Sequence, residues 1–103
     1  MNILANLDIY AFYESSCPVF RIWINDNLYS EREFWADWTR EYVEEAMSFE
    51  LEPGEHTIIL ETIASPLSKI WAERLVLKYE NTEKVLTFPL DPQHKQIIKF
   101  TIE

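Results

Sequence analysis

This 103-residue chain has only one glycine, only one cysteine and half as many basic as acidic side chains. A single glycine, Gly54, excludes phosphate-cradling loops, dinucleotide fingerprints and Gly-x-Ser-x-Gly elbows, all of which need glycine at fixed positions. A single cysteine, Cys17, allows no internal disulfide and no cysteine-based zinc site. With Pro18 marking a strand entrance beside it, that thiol reads as packed rather than nucleophilic. Nine Lys and Arg against eighteen Asp and Glu give a net charge of −9. Phosphate backbones and anionic lipid surfaces are bound by clustered cations, so neither nucleic acid nor a membrane is an expected partner. The opening "MNILANLDIYAFYE" lacks a basic leader and is interrupted by Asp8, which argues against a signal peptide or a membrane span. The chain is therefore expected inside a cell, or to be assembled there before release.

Catalytic constellations are also missing. His56 lies two residues after Gly54 of a Pro-Gly turn and His94 lies in "DPQHK", both contexts in which a histidine is expected to be solvated rather than paired with a nucleophile. Glu31, Glu33, Asp37, Glu41, Glu44 and Glu45 cluster in sequence, but without the Asp-x-Asp-x-Asp-Gly spacing of a calcium loop they read as a solvated acidic face. No enzyme activity, metal or cofactor is expected.

What the chain has in quantity is apolar and aromatic residues, 48% and 15%, in a length suited to one domain over residues 1–103. They fall in a period of two. Ile3, Ala5, Leu7, Ile9, Ala11 and Tyr13 alternate with more polar or aromatic neighbours, as do Phe20, Ile22 and Ile24. "NDN" predicts a hairpin turn into "LYSERE". Val43, Met47, Phe49 and Leu51 lead to Pro53-Gly54, and His56, Ile58, Leu60 and Thr62 follow, which predicts a second hairpin. "ASPLSKIWA" then punctuates. Leu75, Leu77 and Tyr79 share one face of the next strand, "NTEK" turns into "VLTFPL", and Ile98, Phe100 and Ile102 align in the last. Eight or so short strands predict an all-β fold, a two-layer antiparallel β-sandwich of jelly-roll-like form.

Residues 30–42, "SEREFWADWTREY", are the ambiguous stretch. Ser30 and Glu33 fit a capping box, and Phe34, Trp38 and Tyr42 recur at four-residue steps, as on a short helix. An aromatic loop or interrupted strand is the preferred reading, because an isolated helix this short is marginal. Trp35, Trp38, Tyr42 and Tyr29 are the candidate binding residues, since exposed Trp and Tyr either anchor protein interfaces or stack on sugar rings. Trp23 lies near them through the hairpin, with Glu31 or Arg40 as polar neighbours for sugar hydroxyls.

The order "PVFRIWINDNLYSEREFW", Tyr42 with Glu44 and Glu45, then "ELEPGEHTIILE" resembles a group of small β-sandwich virion proteins of tailed bacteriophages. It also resembles jelly-roll carbohydrate-binding modules with a Pro-initiated strand and a Gly-x-His hairpin. The likeness spans residues 17 to 79. The first resemblance implies a non-enzymatic particle component located in the virion, assembled in the host cytoplasm and docked through strand edges and an aromatic-rich loop on other virion proteins, in many symmetric copies. The second implies a glycan partner. The Asp-rich run of calcium-dependent modules is missing here, where "TIASPLSKIWAERL" offers only Glu73.

Overall fold

The computed structural model describes residues 1–12, 18–34, 42–63, 69–89 and 95–103. Among them are eight strands: β1 (Asn2–Phe12), β2 (Val19–Ile24), β3 (Asn27–Glu33), β4 (Tyr42–Glu50), β5 (Gly54–Thr62), β6 (Lys69–Tyr79), β7 (Thr82–Thr87) and β8 (Lys95–Ile102). They form two antiparallel four-stranded sheets, a first in the order β4-β1-β6-β7 and a second in the order β3-β2-β5-β8. The protein is a β-sandwich. Among the described residues no helix is long and apolar enough to cross a membrane.

The two-residue rhythm explains which face each strand buries. Ile3, Ala5, Leu7 and Ile9 of β1 meet Phe20, Ile22 and Ile24 of β2, Ile58 and Leu60 of β5, and Ile98, Phe100 and Ile102 of β8 in one continuous core. Strand β6 breaks the rhythm. Ile70 and Ala72 point inward, and so do Leu75, Leu77 and Tyr79, because a bulge between the Asp8–Arg74 and Ile9–Ala72 pairs leaves Glu73 unopposed and moves the inward set from even to odd positions. The segment "ASPLSKIWA", expected only to punctuate, therefore contributes the strand residues Lys69 to Ala72. A second bulge, on β3, leaves Tyr29 without a cross-strand partner between Leu28 and Ser30.

Two of the expected turns are hairpins, β2–β3 at Asn25 (φ 55°) and β6–β7 at Glu80 (φ 53°). The third is not. Strand β4 pairs with β1 in the first sheet while β5 pairs with β2 and β8 in the second, so Leu51 to Pro53 form a corner between layers. Alternation looks the same in a hairpin and in a corner, because in both cases each strand turns one face to the core. What decides is the partner: β1 takes the full length of β4, from Asn2 opposite Glu50 to Tyr10 opposite Tyr42, and Leu51 N–H then donates to Met1 O. Gly54 has φ +133° at the corner, which L side chains rarely adopt. The capping-box reading of Ser30 and Glu33 is corrected likewise, since both belong to β3, and Phe34 is buried at 2% exposure.

Side chains reaching between layers close the sandwich. On the β3/β4 side, Arg32 Nη1 donates to Glu45 Oε2 at 2.6 Å. The Tyr29 hydroxyl accepts from Ser48 N–H at 3.1 Å and donates to Ser48 O at 3.4 Å, so it covers part of the β4 edge. On the opposite side, Lys84 Nζ donates to Thr101 O and to Glu103 Oε1. Gln96 spans the layers and bonds both backbone groups of Ala72, accepting from its N–H at 2.7 Å and donating to its carbonyl at 3.1 Å. Peptide groups freed near the β6 bulge are thereby satisfied.

Candidate functional site, an aromatic face on the first sheet

The outer face of the first sheet carries a row of three rings, one from each of three neighbouring strands. Register places Tyr42 of β4 opposite Tyr10 of β1, and Tyr10 opposite Trp71 of β6. The Tyr10 and Tyr42 centroids are 5.3 Å apart with planes tilted by 31°, and Tyr10 and Trp71 stack at 6.1 Å and 15°. Each ring is half-buried, and cross-strand neighbours of this kind hold one another in place. Phe12, two residues beyond Tyr10 on the same face of β1, is 58% exposed. The β6 bulge is what brings Trp71 into the row: without it, the residues sharing the face of Leu75 and Leu77 would have carried Trp71 inward.

A charged row borders the rings. Asp8 lies opposite Glu44 on one side and Arg74 on the other. Burial raises the Asp8 carboxyl above its ordinary range, repulsion from Glu44 adds to the rise, and Arg74 opposes it. The Trp71 indole N–H donates to Glu73 Oε2 at 3.2 Å, which fixes the ring against the bulge. Aromatic surface flanked by carboxylate acceptors can hold an apolar or cationic side chain, or the C–H face of a sugar with its hydroxyls on Asp8 or Glu44.

Among the sequence-predicted site residues, Tyr42 is in this row and Tyr29 is not. Tyr29 stands at the β3/β4 edge, its ring 6.1 Å from Phe49 and edge-on at 76°, and its hydroxyl is occupied by Ser48. Its exposure of 39% belongs to a latch between layers rather than to a platform with Tyr42. Trp35 and Trp38, like Arg40, Cys17 and His94, lie outside the described residues. Trp23 is on the outer face of the second sheet, as is Glu31, where Arg21 Nε donates to it at 2.6 Å. The residues missed are Tyr10, Phe12 and Trp71. For Tyr10 and Phe12 the signal was present, as aromatic side chains on the polar face of the first strand; Trp71 was hidden by the parity change at Glu73.

Two further expectations are corrected. His56 is not a solvated turn residue. It is half-buried in β5, 5.8 Å from the Phe100 ring, with Nε2 2.6 Å from Glu52 O and Nδ1 3.2 Å from Asn25 Nδ2. A carbonyl only accepts, so Nε2 carries the proton and Nδ1 accepts from Asn25, whose Oδ1 in turn accepts from Thr57 N–H. The acidic cluster is likewise not uniformly solvated: Glu45 points into the sandwich at 4% exposure. Burial raises its carboxyl above the ordinary 4.5, and the charge and hydrogen bond of Arg32 oppose that rise.

No family model, curated protein or solved structure matches this chain. Among the described residues, no group of three or more His, Cys, Asp and Glu is placed to hold a metal ion.

Proposed function

We propose that this protein is a non-enzymatic contact module that docks onto a protein partner through the outer face of its first sheet. The observation that carries this reading is the row Tyr42–Tyr10–Trp71 ending at the 58% exposed Phe12. Rigid aromatic side chains give large contact area for little lost conformational entropy, which is why they dominate protein interfaces. The segment that leads into Tyr42 contains Trp35 and Trp38, so further aromatic residues adjoin the row in sequence. The setting proposed is the virion of a tailed bacteriophage, on the strength of the resemblance over residues 17 to 79, with the chain present in many copies. Mass spectrometry of purified particles from the source is expected to find it at a fixed ratio to the major particle protein. Within such particles, Trp71→Ala and Phe12→Ser should each reduce that ratio. A chain absent from particles and recovered only as free protein would overturn the assignment.

A second reading, attachment to a cell-surface glycan, is favoured by the carboxylates Asp8 and Glu44 beside the rings. Its test is glycan-array binding lost in Trp71→Ala and kept in Glu55→Ala, the latter residue being exposed on the other sheet. Equal loss in both variants would rule out this face as the glycan site.

A further inference from the structure

The outer face of the second sheet carries two adjacent four-residue rows, each with one side chain from every strand. Register aligns Leu28 of β3, Trp23 of β2, Ile59 of β5 and Ile97 of β8 in an apolar row, with Leu28 51% and Ile97 57% exposed at its ends. The neighbouring row reads Glu31, Arg21, Glu61 and Lys95, so its charges alternate negative, positive, negative, positive across the sheet. Arg21 pairs with Glu31, and the Trp23 indole N–H donates to Glu61 Oε1 at 3.3 Å. Beyond the apolar row, Asn25 N–H donates to Thr57 O and Thr57 lies opposite Lys99, with Asp26 in the adjoining turn.

We infer that this face binds the same face of a second copy of the chain, about a two-fold axis running along the strands between β2 and β5. Such an axis keeps each row in register with itself and reverses the order of the strands. Glu31 then meets Lys95 of the other copy and Arg21 meets its Glu61, so all four charges face an opposite charge. In the apolar row Leu28 meets Ile97 and Trp23 meets Ile59, so every apolar side chain faces another apolar one. Lys99 is brought to the turn that holds Asp26. A two-fold axis at right angles, along the rows, gives none of these charge pairings.

Electrostatics limits the choice of occupant. Each copy carries −9 and repels another at a distance, but the four charges of this row sum to zero, so contact through this face adds no local repulsion. Four strands about 4.8 Å apart, over six residues rising about 3.4 Å each, give a footprint of roughly 400 Å² per copy. Standard complexes bury about 800 Å² per partner, so this dimer is weak, with a dissociation constant on the order of 10–100 μM. Pairing here leaves both first sheets facing outward on opposite sides. The dimer therefore presents two aromatic faces and links two partners, or grips two sites on one, which strengthens attachment without new contacts.

Sedimentation equilibrium from about 10 μM to about 1 mM tests the proposal on the full chain. The expected result is a concentration-dependent dimer whose dissociation constant rises about tenfold or more in Ile97→Lys, an exposed position where lysine leaves the core untouched. Leu28→Lys, at the other end of the row, gives the same result independently. Glu31→Lys and Lys95→Glu each weaken the dimer several-fold alone, because like charges then face each other. An equimolar mixture of those two variants restores it, since every mixed pair is again complementary. Trp71→Ala, on the other sheet, leaves it unchanged, so failure of the docking reading and failure of this one are distinguishable. A monomer at all concentrations, a dimer indifferent to both Ile97→Lys and Leu28→Lys, or a mixture no tighter than its parents would overturn the proposal.

Discussion

Arg32 and Glu45 form one ion pair whose two halves have unequal surroundings, and removing either half should have unequal consequences. Glu45 is on a core-facing position of β4 with its side chain 6% exposed, whereas the Arg32 side chain is 53% exposed. Arg32→Ala leaves a buried carboxylate without its counter-charge. Breaking a fully buried pair this way costs about 3–5 kcal/mol, and the solvent around Arg32 already screens part of that, which lowers the expectation to roughly 2–3 kcal/mol near pH 7. Glu45→Met instead removes the buried charge, fills the same space and frees a guanidinium that can turn to water, so its net effect should stay within about 1 kcal/mol of zero. The asymmetry should depend on pH. Because burial raises the Glu45 pKa in the folded protein, the folded state holds this proton more tightly than the unfolded chain does. The stability tied to that protonation is fully present below 4.5 and is lost as pH rises through the folded value. Removing Arg32 takes away the influence that opposes the rise, so the window widens upward and the penalty of Arg32→Ala shrinks on acidification. Urea unfolding at pH 7, 6 and 5 reads this directly, with a midpoint shift on the order of 1 M near pH 7 that narrows toward pH 5. Equal losses from Arg32→Ala and Glu45→Met, or an Arg32→Ala penalty that does not change with pH, would refute the reasoning.

Three other perturbations test single features of the fold. Gln96→Ala strips both partners from the buried backbone of Ala72 and should cost about 2–4 kcal/mol by denaturant unfolding, with faster amide exchange at Ala72. Glu80 adopts φ 53° in the β6–β7 hairpin, so Glu80→Gly should stabilise by about 0.5–1 kcal/mol, seen as a rise in melting temperature. Gly54→Ala meets no atom within 4 Å and yet should destabilise by about 1 kcal/mol, because the obstacle is φ +133° and not space; a neutral result would show that the corner relaxes.

The strands and their buried faces were legible because alternation is a local property, carried by each segment whatever its partner. Phe20, Ile22 and Ile24, or Ile98, Phe100 and Ile102, read as core in the chain and are core in the fold. Turn chemistry was local too, as at Asn25. The aromatic face was only partly legible. Tyr42 was found, but its partners come from β1 and β6, and no local pattern links residues 10, 42 and 71.

By itself, then, the amino-acid order determined an all-β chain with alternating faces, because side-chain direction along a strand follows from backbone geometry alone. Only the tertiary structure decided that β4 and β5 belong to different sheets, since strand pairing is a competition among distant segments and β1 wins β4. It also decided, through the bulge at Glu73, that Trp71 faces outward. One extra residue opposite a single partner reverses every side chain beyond it, and that partner, in β1, is some sixty positions away in the chain.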